Sequence, residues 1–260
     1  MRDFGDVKKI VIKVGSSSIT LPNGKINKSK VKHIIKEIAA LMDKGYKVLF
    51  VTSGAVGAGI GKFNLDKKPK ELSMRRALAA VGQVELMRFY ESLFYAHDKT
   101  MAQLLLTKID FVDEERFNNL KDLCEILMRE NVIPVINEND AVVINEIKVG
   151  DNDTLSALSC KIIDADLLII LSDIDGLYDS NPKQNSNCKL ISTVNSISDV
   201  EACAGAAGSE LGTGGMLTKI QAAKIATEDG RHMLIINGDD PSNISKAVEG
   251  QEIGTWFRSN

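Results

Sequence analysis

The chain repeats one pattern from end to end. A short run of β-branched and apolar residues leads into a turn of small or polar residues, and a stretch with helical periodicity follows. The apolar runs are Lys8–Val14, Tyr46–Val51, Met101–Thr107, Val132–Ile136, Leu167–Leu171, Met233–Ile236 and Gly254–Phe257. Helical spacing covers Lys28–Leu41, Ser73–Tyr95, Asp113–Glu130, Thr154–Ile163, Leu217–Glu228 and Ser242–Val248. Near-continuous apolar strands that alternate with helices belong to a parallel sheet covered on both faces. The pattern predicts an α/β fold, an αβα sandwich around a mostly parallel central sheet of about eight strands. Ala141–Val149 alternates as a strand or short hairpin does. No linker or repeat divides the 260 residues, so one domain is expected over 1–260.

Such sheets place ligands at the carboxyl ends of their strands, and the polar residues of this chain gather there. Lys13 interrupts an apolar run just before Gly15-Ser16-Ser17-Ser18. It is either an edge or surface residue or a cation aimed at a ligand. The second run ends in Thr52-Ser53-Gly54-Ala55-Val56-Gly57-Ala58-Gly59, which suits either a close crossing or contact with a small anion. Asn137-Glu138-Asn139-Asp140 follows the fourth run, and Asp151-Asn152-Asp153 opens the helix after it. Both clusters also fit ordinary capping and turn chemistry. Ser172-Asp173 ends the fifth run. Gly212-Thr213-Gly214-Gly215-Met216 precedes a helix whose first turn holds Lys219, where the helix dipole disfavours a cation unless an anion shares the site.

Two lysines, two glycine turns and a helix N-terminus suit a nucleoside triphosphate, although no Walker A motif is present. The three histidines, His33, His97 and His232, lie in no recognised catalytic motif. A carboxylate acceptor, with an ordinary pKa of about 4, needs no base. An alcohol acceptor usually does, and Asp140 or Asp153 would then supply it. The inventory therefore favours a kinase acting on a carboxylate. A net charge of −3 gives no reason to expect nucleic acid or an anionic membrane as partner. No apolar run approaches the ~20 residues of a membrane span, and the N-terminus lacks a signal-peptide core. The four cysteines form no Cys-x-x-Cys pair, and Cys124 and Cys160 fall in apolar helical patterns as core residues. A cytoplasmic, thiol-reduced protein without structural zinc is expected.

Six motifs, in order, resemble the glutamate 5-kinases, within the amino acid kinase family. They are Lys-Val-Gly-Ser-Ser at 13–17, Val-Thr-Ser-Gly-Ala at 51–55, Ala-Ala-Val-Gly-Gln at 79–83, Pro-Val-Ile-Asn-Glu-Asn-Asp at 134–140, Lys-Val-Gly-Asp-Asn-Asp at 148–153 and Gly-Thr-Gly-Gly-Met-x-Thr-Lys at 212–219. The resemblance implies the amino acid kinase fold and Mg2+-dependent transfer of phosphate from ATP to the γ-carboxylate of L-glutamate, the first step of proline biosynthesis. It also implies feedback inhibition by proline, a homo-oligomer (dimer or tetramer) and a glutamyl phosphate reductase as the user of the product. Carried over to this sequence, it assigns catalysis to Lys13, Lys219 and Asp153, with Asp153 orienting the lysines. It assigns glutamate binding to Ser53, Asp140 and Asn152. ATP would be held by Lys13, Ser172, Asp173, Thr213, Gly214, Gly215, Met216, Leu217, Thr218 and Lys219, with Mg2+ on its phosphates and no metal site of the protein's own. Many members have Thr where Ser172 stands, and Ser keeps the hydroxyl. Many also carry a C-terminal PUA domain, which is not expected in 1–260. Other amino acid kinases, such as acetylglutamate kinase, aspartokinase or uridylate kinase, are alternatives, as is a non-catalytic amino-acid sensor. The Asn-Glu-Asn-Asp and Val-Gly-Asp-Asn-Asp pair argues against the first group, and retention of both lysines against the second.

Overall fold

A computed structural model describes residues 1–21, 23, 25–143, 149–182, 185, 187–200 and 215–259. Its sheet is built from β1 (Lys9–Val14), β2 (Lys47–Val51), β3 (Thr100–Leu106), β4 (Val132–Glu138), β5 (Leu167–Ser172), β6 (Thr193–Val194), β7 (His232–Asn237) and β8 (Thr255–Phe257). The order across it is β3-β4-β2-β1-β5-β7-β8-β6. Six strands, from β3 to β7, run parallel, and β8 alone pairs antiparallel with its neighbour β7. The helices are α1 (Ser16–Ile19), α2 (Lys28–Asp43), α3 (Ala55–Phe63), α4 (Leu72–Tyr95), α5 (Ile109–Val112), α6 (Glu114–Arg129), α7 (Asn152–Ile163), α8 (Met216–Glu228) and α9 (Asn243–Val248).

The period-two geometry of a strand splits the core into two layers. Val11, Leu49, Val51, Ile136, Leu168, Ile170 and Ile235 turn to one face, where they meet Cys124 of α6, Leu155 and Cys160 of α7, and Ala223 of α8. Ile10, Ile12, Val48, Phe50, Val135, Ile169 and Leu234 turn to the other, against Ile34 and Ile38 of α2, Leu86 and Tyr90 of α4, and Ile244 of α9. Each fully buried aliphatic side chain contributes roughly 1.5–3 kcal/mol. Covering both faces explains why the strands are apolar without alternating polar residues.

Three expectations need adjusting. β6 has two residues, too few for any periodicity, and it pairs parallel with β8 at the sheet's edge. Ala141 and Val142 form a turn rather than a strand, and residues 144–148 lie outside the described residues. The glycine-rich stretch 52–59 is mostly the start of α3, not an open turn. A Cβ on Gly59 would lie 2.1 Å from the carbonyl oxygen of Leu78, and one on Gly82 would lie 1.8 Å from that of Ala55. These two glycines let α3 and α4 cross backbone to backbone, and that crossing accounts for them without an anion.

At the β6–β8 edge Arg2 is buried, and its guanidinium donates to the carbonyls of Ile253, Ser192 and Gly254 at 2.5, 2.7 and 2.9 Å. Trp256 of β8 packs edge-on against Phe4 and His232. Among the described residues no helix is long and apolar enough to cross a membrane.

The chain leaves β1 toward β2 on one side and later returns through α7 to β5 on the other. The carboxyl end of β1 is therefore the point where the order of strands reverses, which is where open α/β sheets place their ligands.

Candidate active site

Lys13 sits on the central strand β1, so the edge reading fails. It is only 6 % exposed. Its ammonium lies 2.6 Å from Asp153 Oδ1, and that of Lys219, from the first turn of α8, lies 3.2 Å from Asp153 Oδ2. Asp153 itself is fully buried. The Thr218 hydroxyl completes the cluster, 2.7 Å from Asp153 Oδ2 and 2.8 Å from the carbonyl of Gly215. Gly15 leaves room for the Lys13 ammonium, which a Cβ at that position would approach to 3.4 Å.

The electrostatics follow from burial. Burial drives the Lys13 ammonium below its ordinary pKa; Asp153 opposes this, and the like charge of Lys219 adds to it. Burial alone would raise the Asp153 carboxyl. The charges of Lys13 and Lys219, with hydrogen bonds from Lys13 and Thr218, hold it below the usual carboxylate range instead. Two ammonium groups thus converge on one buried carboxylate, in a place where water screens charge poorly.

Asp153 is held by its own helix. Asp151 caps α7, accepting from the backbone N–H of Asp153 at 2.8 Å and of Thr154 at 2.9 Å. Between cap and carboxylate stands Asn152, which turns the other way. Its Nδ2 donates to Thr52 O at 2.5 Å, Ser53 Oγ at 2.8 Å and Asn137 Oδ1 at 2.8 Å. Among the described residues none donates to its Oδ1. Asn137 Oδ1 also accepts from the Glu138 N–H, and Asn137 Nδ2 donates to Gln83 Oε1 of α4 at 2.9 Å. Glu138 closes the next loop by accepting from the Val149 N–H at 2.6 Å. Arg76, two turns before Gln83 on α4, donates to the carbonyl of Val143 at 2.8 Å.

The residues singled out in the sequence thus fall into groups. Lys13, Asp153, Thr218 and Lys219 share one cluster. Ser53 and Asn152 share a second, one residue away along α7. Asp140 lies in the turn after β4, where its N–H bonds to Glu138 O at 2.9 Å, and Asn139 anchors the same turn through Val142 and Val143. Ser172 ends β5, buried, with its hydroxyl 3.3 Å from Asp173 Oδ1. Gly215 is the residue before α8, Met216 is buried beneath it, and Leu217 is 56 % exposed. Thr213 and Gly214 lie outside the described residues. Sequence reasoning gave no role to Gln83, Asn137 or Arg76. Asn137 and Gln83 both stood in motifs that had already drawn notice, at 134–140 and 79–83, whereas Arg76 lies in a helix where an arginine is ordinary.

The model of the amino acid kinase family matches residues 8–237. A glutamate 5-kinase of Clostridium tetani is 51 % identical over 255 residues, 98 % of this chain and 96 % of that one. A glutamate 5-kinase of Caldanaerobacter subterraneus is 49 % identical over 96 % of this chain and 67 % of its own length. Among solved structures, a carbamate kinase from Giardia lamblia bound to AMP-PNP superposes with a TM-score of 0.68 at 17 % identity, over 98 % of this chain and 99 % of the other. A UMP kinase from Bacillus anthracis gives 0.66 at 15 %, over 98 % and 97 %. At those identities the structural likeness speaks for the fold alone.

Proposed function

The chain belongs to the amino acid kinase family, and we propose that it transfers the γ-phosphoryl group of ATP to the γ-carboxylate of L-glutamate, opening proline biosynthesis. A carboxylate oxygen of glutamate attacks the γ-phosphorus, and the bond from that phosphorus to the β–γ bridging oxygen breaks. Glutamyl 5-phosphate and ADP result. The nucleophile is already ionised, so no base is required. What the transfer needs is alignment and neutralisation of charge on the moving phosphoryl.

The observation that carries this reading is the pair of buried lysines on one carboxylate, a single residue away from a cluster of neutral amides and hydroxyls. Lys13 and Lys219 hold the phosphates and stabilise the transferring group, and Asp153 orients both. Ser53, Asn152 and Asp140 receive glutamate. Ser172, Asp173 and the 213–219 segment hold the nucleotide. Among the described residues no three acidic, thiol or imidazole side chains gather as an ion site, and magnesium enters this reading on the phosphates of ATP, where it shields their charge. Proline, itself a small amino acid, competes for the glutamate pocket, and the protein acts in the cytoplasm as a homo-oligomer.

Incubation with Mg-ATP, hydroxylamine and single amino acids tests the assignment. Hydroxamate is expected from glutamate and not from aspartate or N-acetylglutamate. Folded protein that yields none from glutamate refutes it.

A further inference from the structure

The geometry points to Gln83 as a positioning residue for the amino-acid substrate: by accepting from Asn137 Nδ2 it holds in place the amide whose oxygen, with Thr52 O and Ser53 Oγ, anchors Asn152. This rests on the proposed reading of the pocket as the glutamate site.

The argument runs from groups whose roles cannot be exchanged. Thr52 O is a carbonyl and can only accept, so the Asn152 atom 2.5 Å from it is the amide nitrogen. The same nitrogen lies 2.8 Å from Asn137, which must therefore present Oδ1. The Glu138 N–H, which can only donate, reaches that same Oδ1 at 2.9 Å and fixes it independently. Asn137 consequently turns Nδ2 to Gln83, and Gln83 must answer with Oε1, at 2.9 Å. A relay of three amides, anchored on two backbone groups, leaves the oxygen of Asn152 as the atom offered to a ligand. An oxygen there suits the ammonium of an amino acid and repels its carboxylate.

Gln83 is buried, and only one end of its side chain is used. Its Nε2 is buried with no hydrogen-bond partner. The residue is therefore present for its acceptor, since a buried donor without a partner is a cost rather than a benefit. Removing the acceptor strands the buried Asn137 Nδ2. Asn137 can then regain a partner only by leaving its place, which takes away one of the three acceptors that hold Asn152.

The test separates an acceptor from mere bulk. Gln83→Met keeps the length and removes the acceptor, whereas Gln83→Glu keeps an acceptor in either protonation state. Hydroxamate formation is measured against glutamate and against ATP. For Gln83→Met the KM for glutamate is expected to rise roughly tenfold, as loss of one buried hydrogen bond would give. The ATP KM and kcat should stay within about a factor of three, and Gln83→Glu should recover most of the affinity. If Gln83→Met does not fold, Gln83→Leu, which also removes the acceptor while filling the space, should still raise the glutamate KM. An unchanged glutamate KM overturns the inference. So does an equal rise in both KM values, or Gln83→Glu as impaired as Gln83→Met. Wild-type protein with no hydroxamate from glutamate instead removes the parent reading, and the role of Gln83 with it.

Discussion

Asn152 and Asp153 are consecutive residues of one helix start, yet they serve two unlike clusters. Around Asp153 charge dominates: two ammonium groups converge on one buried carboxylate, with the Thr218 hydroxyl beside them. Around Asn152 everything is neutral: amides, a hydroxyl and a carbonyl. The charged cluster draws its members from β1, α7 and α8, on one face of the sheet. The neutral cluster reaches past the ends of β2 and β4 to α4, on the other. Charge acts over a distance and tolerates some movement. Amide geometry tolerates little, and the neutral cluster is held to backbone at Asn152 and at Asn137.

Substitutions that separate the two clusters give the sharpest tests. The largest effect is expected for Lys219→Ala. Turnover should fall by at least about a thousandfold, the scale of losing one preorganised charge-stabilising group. Glutamate binding, followed by calorimetry, should be largely kept; unchanged turnover would remove Lys219 from the chemistry.

Next comes Asp153→Asn, which leaves two buried ammonium groups without their carboxylate. A stability loss of about 3–5 kcal/mol is expected from denaturant unfolding at neutral pH. The sign of the pH dependence follows from the lowered carboxyl pKa in the folded state. Asp153 stabilises fully above the ordinary carboxylate value of about 4, and that contribution is lost as pH falls through the lower folded value. The gap between wild type and Asp153→Asn should therefore narrow as pH falls into the acid range. A gap constant down to low pH would mean that Asp153 is not the anion of the cluster.

Asn152→Ala belongs to the neutral side. It should raise the KM for glutamate by roughly 10- to 100-fold, equivalent to about 1–3 kcal/mol, and leave the ATP KM nearly alone. A matching rise in the ATP KM would show that the clusters are not separable. The smallest effect concerns Cys160 of α7 and Cys124 of α6, in the layer beneath. Burial pushes both thiols up to about 12. In native protein at neutral pH, iodoacetamide should leave both unmodified and activity unchanged, as mass spectrometry of digests would reveal.

The charged cluster was legible in the sequence because it violates local rules. A lysine inside a β-branched run and another in the first turn of a helix both ask for an explanation. The strand order and the neutral relay were not legible in this way. Gln83 and Asn137 are 54 residues apart, and a glutamine in an amphipathic helix breaks no rule. Gly59 looked like part of a ligand turn because a helix crossing needs the same residue type. β6 left no trace, since two residues have no period.

The single tryptophan lies far from all of this chemistry in the fold. Trp256 sits on β8, one strand in from the sheet's edge, where Arg2 joins the residues before β8 to the residue before β6, and it packs against Phe4 and His232. Intrinsic fluorescence therefore reports on the seam between the first residues and the last strand. If that seam frays before the parallel core melts, emission will change at lower denaturant than far-ultraviolet circular dichroism, and a midpoint read from fluorescence alone will describe the edge of the sheet instead of the molecule.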